Sequence, residues 1–441
     1  MRDLLVAGIV FGSLPFILWR PHIGVLMWVW ISVMNPHRLT WSFAYDFNFA
    51  AIIAIVTLAS ALLSKEVRRP PLNSLTVALV LFAAWTGVTT LVALYPEASY
   101  ERWKALMKTQ LMVFLIPMLF HKKEDVRLLL WVIVLSIGFY GAKGGFWTLL
   151  TGGEARVYGP MGSSIEDNNA IAAAIVMMVP LMRYLQLTTP YGYIRWGMTG
   201  MMLLCGLGVL GTYSRGALLA AAAMLTLLWC KGRHKLAVLV IALAAIPFAL
   251  SSMPEKWYVR METIATYEQD NSAQMRLNAW RTMLNLANDR PFVGGGFEVG
   301  EKEVFERYSP DPSFPAQVAH SIYLQALGEH GYVGLGLYLF LFGAAWRTAS
   351  RIIRTARTRP DLLWARELSL MMQVTLIGFA VAGAFLSLVN FDVPYYLVAV
   401  MAATLAMVER ESRSEGSHLA GRNGADISQQ TAGRDTMQQK A

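Results

Sequence analysis

Long apolar runs separated by short polar joints set the pattern of this chain. They fall at about 4–19, 22–34, 48–64, 74–94, 105–120, 127–149, 170–187, 196–213, 216–230, 235–251, 332–350, 368–389 and 393–408. An α-helix rises about 1.5 Å per residue, so most of these runs suit a hydrocarbon core about 30 Å thick, where each must satisfy its own backbone hydrogen bonds. The pattern predicts an all-α polytopic integral membrane protein of about twelve transmembrane helices. One interval breaks the rhythm, residues 252–331. Within it, Asn271 to Arg281 predicts the opening of a helix capped by Asn271 or Ser272. Gly294-Gly295-Gly296 predicts a break, and His320-Ser321-Ile322-Tyr323-Leu324 predicts the start of a second helix that ends at Gly331. On that helix His320 would share a face with Leu324 and Leu327. The expected organisation is a helix bundle over 1–251, a hydrophilic helical loop domain over 252–331, C-terminal transmembrane helices over 332–410, and a disordered cytoplasmic tail over 411–441, too poor in large apolar residues to fold.

Composition reinforces this reading. Of 441 residues 55% are hydrophobic and 15% charged, and the mean hydropathy is +0.43, too apolar for a wetted globular surface. The first run has only Arg2 ahead of it and no small-residue cleavage pattern, so it is expected to be a retained helix. Two cysteines, Cys205 and Cys230, both in apolar runs, suggest neither a disulfide framework nor a thiolate metal site. The net charge of +9 does not call for a nucleic-acid partner. Its basic residues cluster at Lys65/Arg68/Arg69, Lys122/Lys123/Arg127, Lys231/Arg233/Lys235 and Arg347 to Arg359, alternating with weakly basic loops, as the positive-inside rule describes. That assignment puts Tyr95–Lys104, Thr151–Asn169, the turn Ser214-Arg215-Gly216, the 252–331 interval and Asn390–Pro394 together on the outer side. Counting both short N-terminal runs gives thirteen crossings and an external N-terminus, whereas one incomplete crossing gives twelve and an internal one.

The candidate chemistry lies on that outer side. Arg215 stands between two apolar runs, where an arginine costs about 2.5–3.5 kcal/mol unless paired or hydrated; the alternative is a turn arginine that snorkels to the headgroups. Arg276 lies one turn before Trp280, and its planar guanidinium suits phosphate oxygens, although a surface salt bridge with the interval's carboxylates is equally compatible. His320 has the titration range of a proton carrier at neutral pH, but a histidine among apolar neighbours is commonly a packing residue. Lys108, Lys143 and Arg156, with Asp167-Asn168-Asn169, gather near the outer ends of apolar runs and together suggest an external anion site. The sequence has no His-Glu-x-x-His, Cys-x-x-Cys, Asp-x-Asp or Gly-x-x-x-x-Gly-Lys-Ser/Thr motif, so neither a zinc nor a metal-nucleotide site is indicated.

Ser214-Arg215-Gly216 at an external turn, then Arg276…Trp280…Pro291…Gly294-Gly295-Gly296, then His320-Ser321-x-Tyr323-Leu324 running to Glu329-x-Gly331, resemble the O-antigen ligase and polymerase superfamily of bacterial envelope glycosyltransferases over roughly 150–340. The segments Met1 to Leu5 and Asn35 to Trp41 look like the subgroup described as putative O-glycosylation ligases. The resemblance implies a GT-C-like membrane fold without cofactor or metal. It also implies glycan transfer from undecaprenyl pyrophosphate to the lipid A core sugar, with inversion, at the periplasmic face of the inner membrane. It further implies His320 as base and Arg215 and Arg276 as pyrophosphate ligands, with Lys108, Lys143 and Arg156 as further anion contacts. Where many such ligases have Asn after the motif histidine, this chain has Ser321. An O-antigen polymerase and a protein O-oligosaccharyltransferase share the donor. A lipid-linked glycan transporter, the alternative of another class, would be expected to hold its charges near the midplane between paired broken helices.

Overall fold

The computed structural model describes residues 1–231, 251, 253–262 and 271–413, and among them every regular element is helical. The bundle comprises α1 (Arg2–Trp19), α2 (Pro21–Met34), α3 (Phe49–Leu63), α4 (Ser74–Leu91), α5 (Pro96–Leu119), α6 (Lys123–Leu150), α7 (Asn168–Thr188), α8 (Gly192–Gly211) and α9 (Arg215–Lys231). Three short or polar helices follow, α10 (Glu255–Glu262), α11 (Asn271–Asp289) and α12 (Lys302–Tyr308), before α13 (Ile322–Thr355), α14 (Leu363–Gly383) and α15 (Asp392–Arg413). Seven helices, α1, α4, α6, α7, α8, the 360–383 segment containing α14, and α15, are long and apolar enough to cross a membrane; α2, α3 and the 215–230 part of α9 are shorter apolar helices. The chain is therefore a multi-pass membrane protein. The expected run at 235–251 lies, apart from Ser251, outside the described residues, as does 414–441, and α15 continues to Arg413 into the stretch assigned to the tail. The outer loop expected at Tyr95–Lys104 is mostly helix, because Pro96 at the first position of α5 opens that helix early.

The centre of the bundle is α7 and α15, which are apolar around the whole circumference and buried on nearly every side. Ile171 to Met178 are all buried, and the Thr375 hydroxyl of α14 donates to the Met177 carbonyl at 3.2 Å. On α15, the Tyr396 hydroxyl accepts from Trp28 Nε1 at 3.0 Å, tying in α2. Helix starts are set by short polar side chains. Asn73 Oδ1 accepts the amides of Leu75 and Thr76 for α4, and Asp167 Oδ1 accepts those of Asn169 and Ala170 for α7, satisfying orphan N–H groups that an apolar first turn could not.

The polar interval closes over one end of the bundle with a small core of its own, in which Ala279, Met283 and Leu286 of α11 meet Val299, Val304 and Phe305. A glycine clasp fixes it there. The Gly295 and Gly296 amides donate to the Gly328 and Glu329 carbonyls, both at 2.8 Å, and the Leu94 amide donates to the Gly295 carbonyl at 2.7 Å. On the other strand of the clasp the Tyr332 amide donates to Pro291 at 2.8 Å, and α13 breaks at Gly331 with φ 69° and ψ −173°. Trp85 Nε1 donates to the His330 carbonyl at this break. Only glycine suits Gly331, since its backbone lies where L-residues are strongly disfavoured and a Cβ there would stand 2.2 Å from the Phe292 carbonyl oxygen. Gly331→Ala is expected to lower stability by about 1–3 kcal/mol from backbone strain alone, with the steric conflict in addition. Thermal unfolding of the purified protein in detergent checks this; an unchanged midpoint would show that the clasp is dispensable.

Candidate anion recess and its histidine

Three separate elements bring arginines to one place. The Asn168 side chain donates to the Thr212 carbonyl at 2.7 Å, pinning the α8–α9 turn to the start of α7. Tyr213 takes a left-handed backbone (φ 61°), and its hydroxyl donates to the Gly153 carbonyl at 2.7 Å. Ser214 Oγ then accepts the Ala217 amide at 3.3 Å, so that Arg215 is the first residue of α9. Beside this turn, Trp257 of α10 is buried against Tyr213 and Met253 and donates through Nε1 to the Leu210 carbonyl at 3.1 Å. That anchor holds Arg260, one turn further along α10, at the same place. The third contribution comes from α11, which carries Arg276.

Together Ser214, Arg215, Gly216, Arg260, Arg276 and Asn169 line a small recess of about 20 Å³. It is polar, three arginines line it, and it sits at the N-terminus of the 17-residue α9. The first amides of a helix and its positive dipole end favour an anion, and guanidinium forks supply charge-assisted donors in fixed planes.

His320 lies near Arg276, without lining the recess, in a conformation that differs from the expected one. Helix α13 begins at Ile322, not at the histidine; Ser321, in extended backbone, is its cap, with Oγ accepting the Leu324 amide at 3.5 Å. His320 therefore lies outside the helix with φ 45° and shares no helical face with Leu324 and Leu327. Two hydrogen bonds fix its approach. The His320 amide donates to Ser387 Oγ at 2.8 Å, and Trp280 Nε1, one turn along α11 from Arg276, donates to the Ala319 carbonyl at 2.8 Å. Burial, and next the nearby Arg276 charge, hold the imidazole below its usual value of 6.5, with Asp167 opposing. A neutral imidazole at neutral pH follows, the form that can accept a proton.

The remaining sequence candidates are dispersed. Arg156 lies over the Tyr213 ring, 5.3 Å from its centroid, at the edge of the recess. Lys143 lines a different, apolar groove of about 740 Å³ with Trp30, Trp131 and Phe146. Lys108 is exposed on α5 and does not line the recess. The structure thus brings together Arg215 and Arg276, adds Arg260, sets His320 near Arg276, and leaves Lys108 and Lys143 apart. Arg260 had one signal in the sequence, an arginine one helical turn from a tryptophan, the pairing that also marks Arg276 and Trp280.

Comparison with known families divides the chain in two. Residues 1–189 match a family of unknown function (DUF5935), and residues 200–339 match the family described as O-Antigen ligase. The second match contains all three recess arginines and His320; Lys108, Lys143 and Arg156 fall in the first. No curated protein matches the chain.

Proposed function

We propose that the chain, whose residues 200–339 match the family described as O-Antigen ligase, transfers a glycan from undecaprenyl pyrophosphate to the lipid A core oligosaccharide at the periplasmic face of the inner membrane. The observation that carries this reading is the convergence of Arg215, Arg260 and Arg276 on one recess at a helix N-terminus, with His320 near Arg276. Pyrophosphate is already a good leaving group, so the protein must chiefly stabilise its developing charge and accept the acceptor's proton. His320 takes the proton of the acceptor hydroxyl while that oxygen bonds to the anomeric carbon. On the opposite face the bond from carbon to phosphate oxygen breaks, and undecaprenyl pyrophosphate leaves with the electron pair against the guanidinium groups. A single displacement of this kind inverts the anomeric configuration. The isoprenoid lies in the bilayer, with its headgroup at the cap end, opposite the basic loops around Arg68, Arg351 and Arg359.

The test is transfer by purified protein with a defined undecaprenyl-pyrophosphate glycan, EDTA, and in turn lipid A core, no added acceptor, or a hydroxyl-bearing acceptor protein. Glycan on lipid A core is the expected result. Extension of the donor alone would make the protein a polymerase, transfer to protein an oligosaccharyltransferase, and dependence on added metal would remove the metal-free step.

The histidine also sets a pH dependence. The kcat/KM of wild type is expected to rise with pH through a midpoint below 6.5, since protonated His320 cannot act as base and its pKa is lowered. Arg276→Ala removes a cation that disfavours the imidazolium, so its midpoint should move to higher pH, and Asp167→Asn should move it lower. Coincident midpoints in all three proteins would detach the limb from His320.

A further inference from the structure

Lys143 stands apart from the recess, in a groove that the proposed transfer does not use. The groove has a volume of about 740 Å³, runs between α2 and α6, and shares no lining residue with the recess. Leu26, Trp30 and Met34 form its α2 wall, one to a turn, and Leu128, Leu135 and Phe139 its α6 wall. Those three α6 side chains are exposed on the surface of the bundle, so in a membrane the groove opens to lipid chains. The hydroxyl of Ser136, which also lines it, donates to the Val132 carbonyl at 2.6 Å, and Trp30 Nε1 donates to Met34 Sδ at 3.1 Å. Both donors are spent within their own helices.

Among the described residues Lys143 is the one charged group in this lining, and none of them forms an ion pair or a hydrogen bond with it. Its place along the helix makes that costly. Seven residues, about 10 Å of helix, separate it from the end of α6 at Leu150. Phe146, Leu149 and Leu150 on that stretch are all exposed, so apolar surface continues past the lysine toward the nearer membrane face. A helical side chain leaves the backbone tilted toward the helix N-terminus, which here is away from that face. Snorkelling to the headgroups therefore works against the direction in which the side chain starts. An ammonium in such a place needs an anion brought to it. The molecule that fits the whole groove is an amphiphile, with apolar chains between α2 and α6 and a phosphate at Lys143. No carboxylate lines the groove to receive a second positive charge, so a net-anionic headgroup suits it better than a zwitterionic one, which carries its own ammonium.

We propose that this groove is a binding site for an anionic glycerophospholipid of the surrounding bilayer, whose phosphate meets Lys143 and whose acyl chains lie between Trp30 and Phe139. The site stands independently of the transferase reading. The donor lipid is the competing occupant. Its pyrophosphate suits planar guanidinium forks, whereas one ammonium suits a single phosphate as a point charge. A bound lipid fills the gap between α2 and α6 and holds the two helices together, which makes it a stabilising ligand.

The experiment is native mass spectrometry of the full-length protein, freed of lipid by detergent exchange and titrated with phosphatidylglycerol or phosphatidylethanolamine, with thermal unfolding of the same samples. Wild type is expected to bind one phosphatidylglycerol about fivefold more tightly than phosphatidylethanolamine, the preference that one cation supplies, and to unfold at a higher temperature with it. Lys143→Gln should fold as wild type does, because the side chain is exposed, and should lose the preference; Lys143→Arg should keep it. Ala142→Trp fills the groove beside an intact lysine and should weaken the binding of both lipids. Wild type without a preference, or Lys143→Gln with one, would overturn the proposal. A folded Ala142→Trp protein that binds both lipids as wild type does would also overturn it, since the chains would then lie elsewhere. Undecaprenyl phosphate at equimolar concentration should leave phosphatidylglycerol bound; displacement would give the groove to the donor's carrier lipid and overturn the phospholipid site. None of these readouts involves glycan transfer, so an inactive wild type would sink the transferase reading and leave the groove's test unchanged.

Discussion

His320→Ala is expected to lower glycan transfer by about 10²–10⁴-fold, the range that a positioned general base contributes, while leaving the fold and donor binding intact. The fold should survive because the structural work at this position is done by backbone. The amide bond to Ser387 Oγ and the Trp280 bond to the Ala319 carbonyl both persist in the variant, and Ser321 still caps α13. Alanine keeps a left-handed backbone poorly, so His320→Asn, which tolerates it better, is the companion variant. Both should be inactive, and the asparagine protein should be the more stable. Measuring initial transfer rates together with unfolding midpoints separates the two effects; a folded His320→Asn protein with wild-type turnover would take the base elsewhere.

The second large effect concerns the recess. Removing one preorganised donor from a site of developing negative charge typically costs about 10²–10³-fold in turnover, and Arg215→Ala, Arg260→Ala and Arg276→Ala are each expected to fall in that range. Because the three side chains share one recess, their losses should not add, and a double variant should fall well short of the product of the singles. Lysine at any of the three keeps the charge but loses the planar fork, so recovery should be partial. Arg260 is the most informative member. It reaches the recess only because Trp257 anchors α10 to Leu210 and Tyr213, so a full effect of Arg260→Ala supports the spatial arrangement and an absent one removes it from the site.

Much of this was legible in the sequence. Apolar length predicted a helical membrane protein, and Ser214-Arg215-Gly216 stood out because a charge at such a turn needs a reason. The convergence was not legible. Arg215 and Arg276 are some sixty residues apart, and the bonds that place their neighbours are indole hydrogen bonds to carbonyls, Trp257 to Leu210 for Arg260 and Trp280 to Ala319 for His320, contacts with no periodic signature. His320 was read into a helix because the apolar pattern after it is helical, yet Ser321 is a good cap and leaves the histidine outside. Lys143 shows the converse. Its place near the end of an apolar run looked like an anion contact, but one face of α6 turns it toward an apolar groove among tryptophans.

Binding of undecaprenyl pyrophosphate, without its glycan, tests the central claim most directly, that the arginine recess holds the leaving group and the histidine does not. Native mass spectrometry of wild type, Arg215→Ala, Arg260→Ala, Arg276→Ala and His320→Asn in one detergent gives the comparison. The account requires wild type and His320→Asn to bind alike and all three arginine variants to bind more weakly. Arginine variants that retain the lipid as wild type does would contradict it.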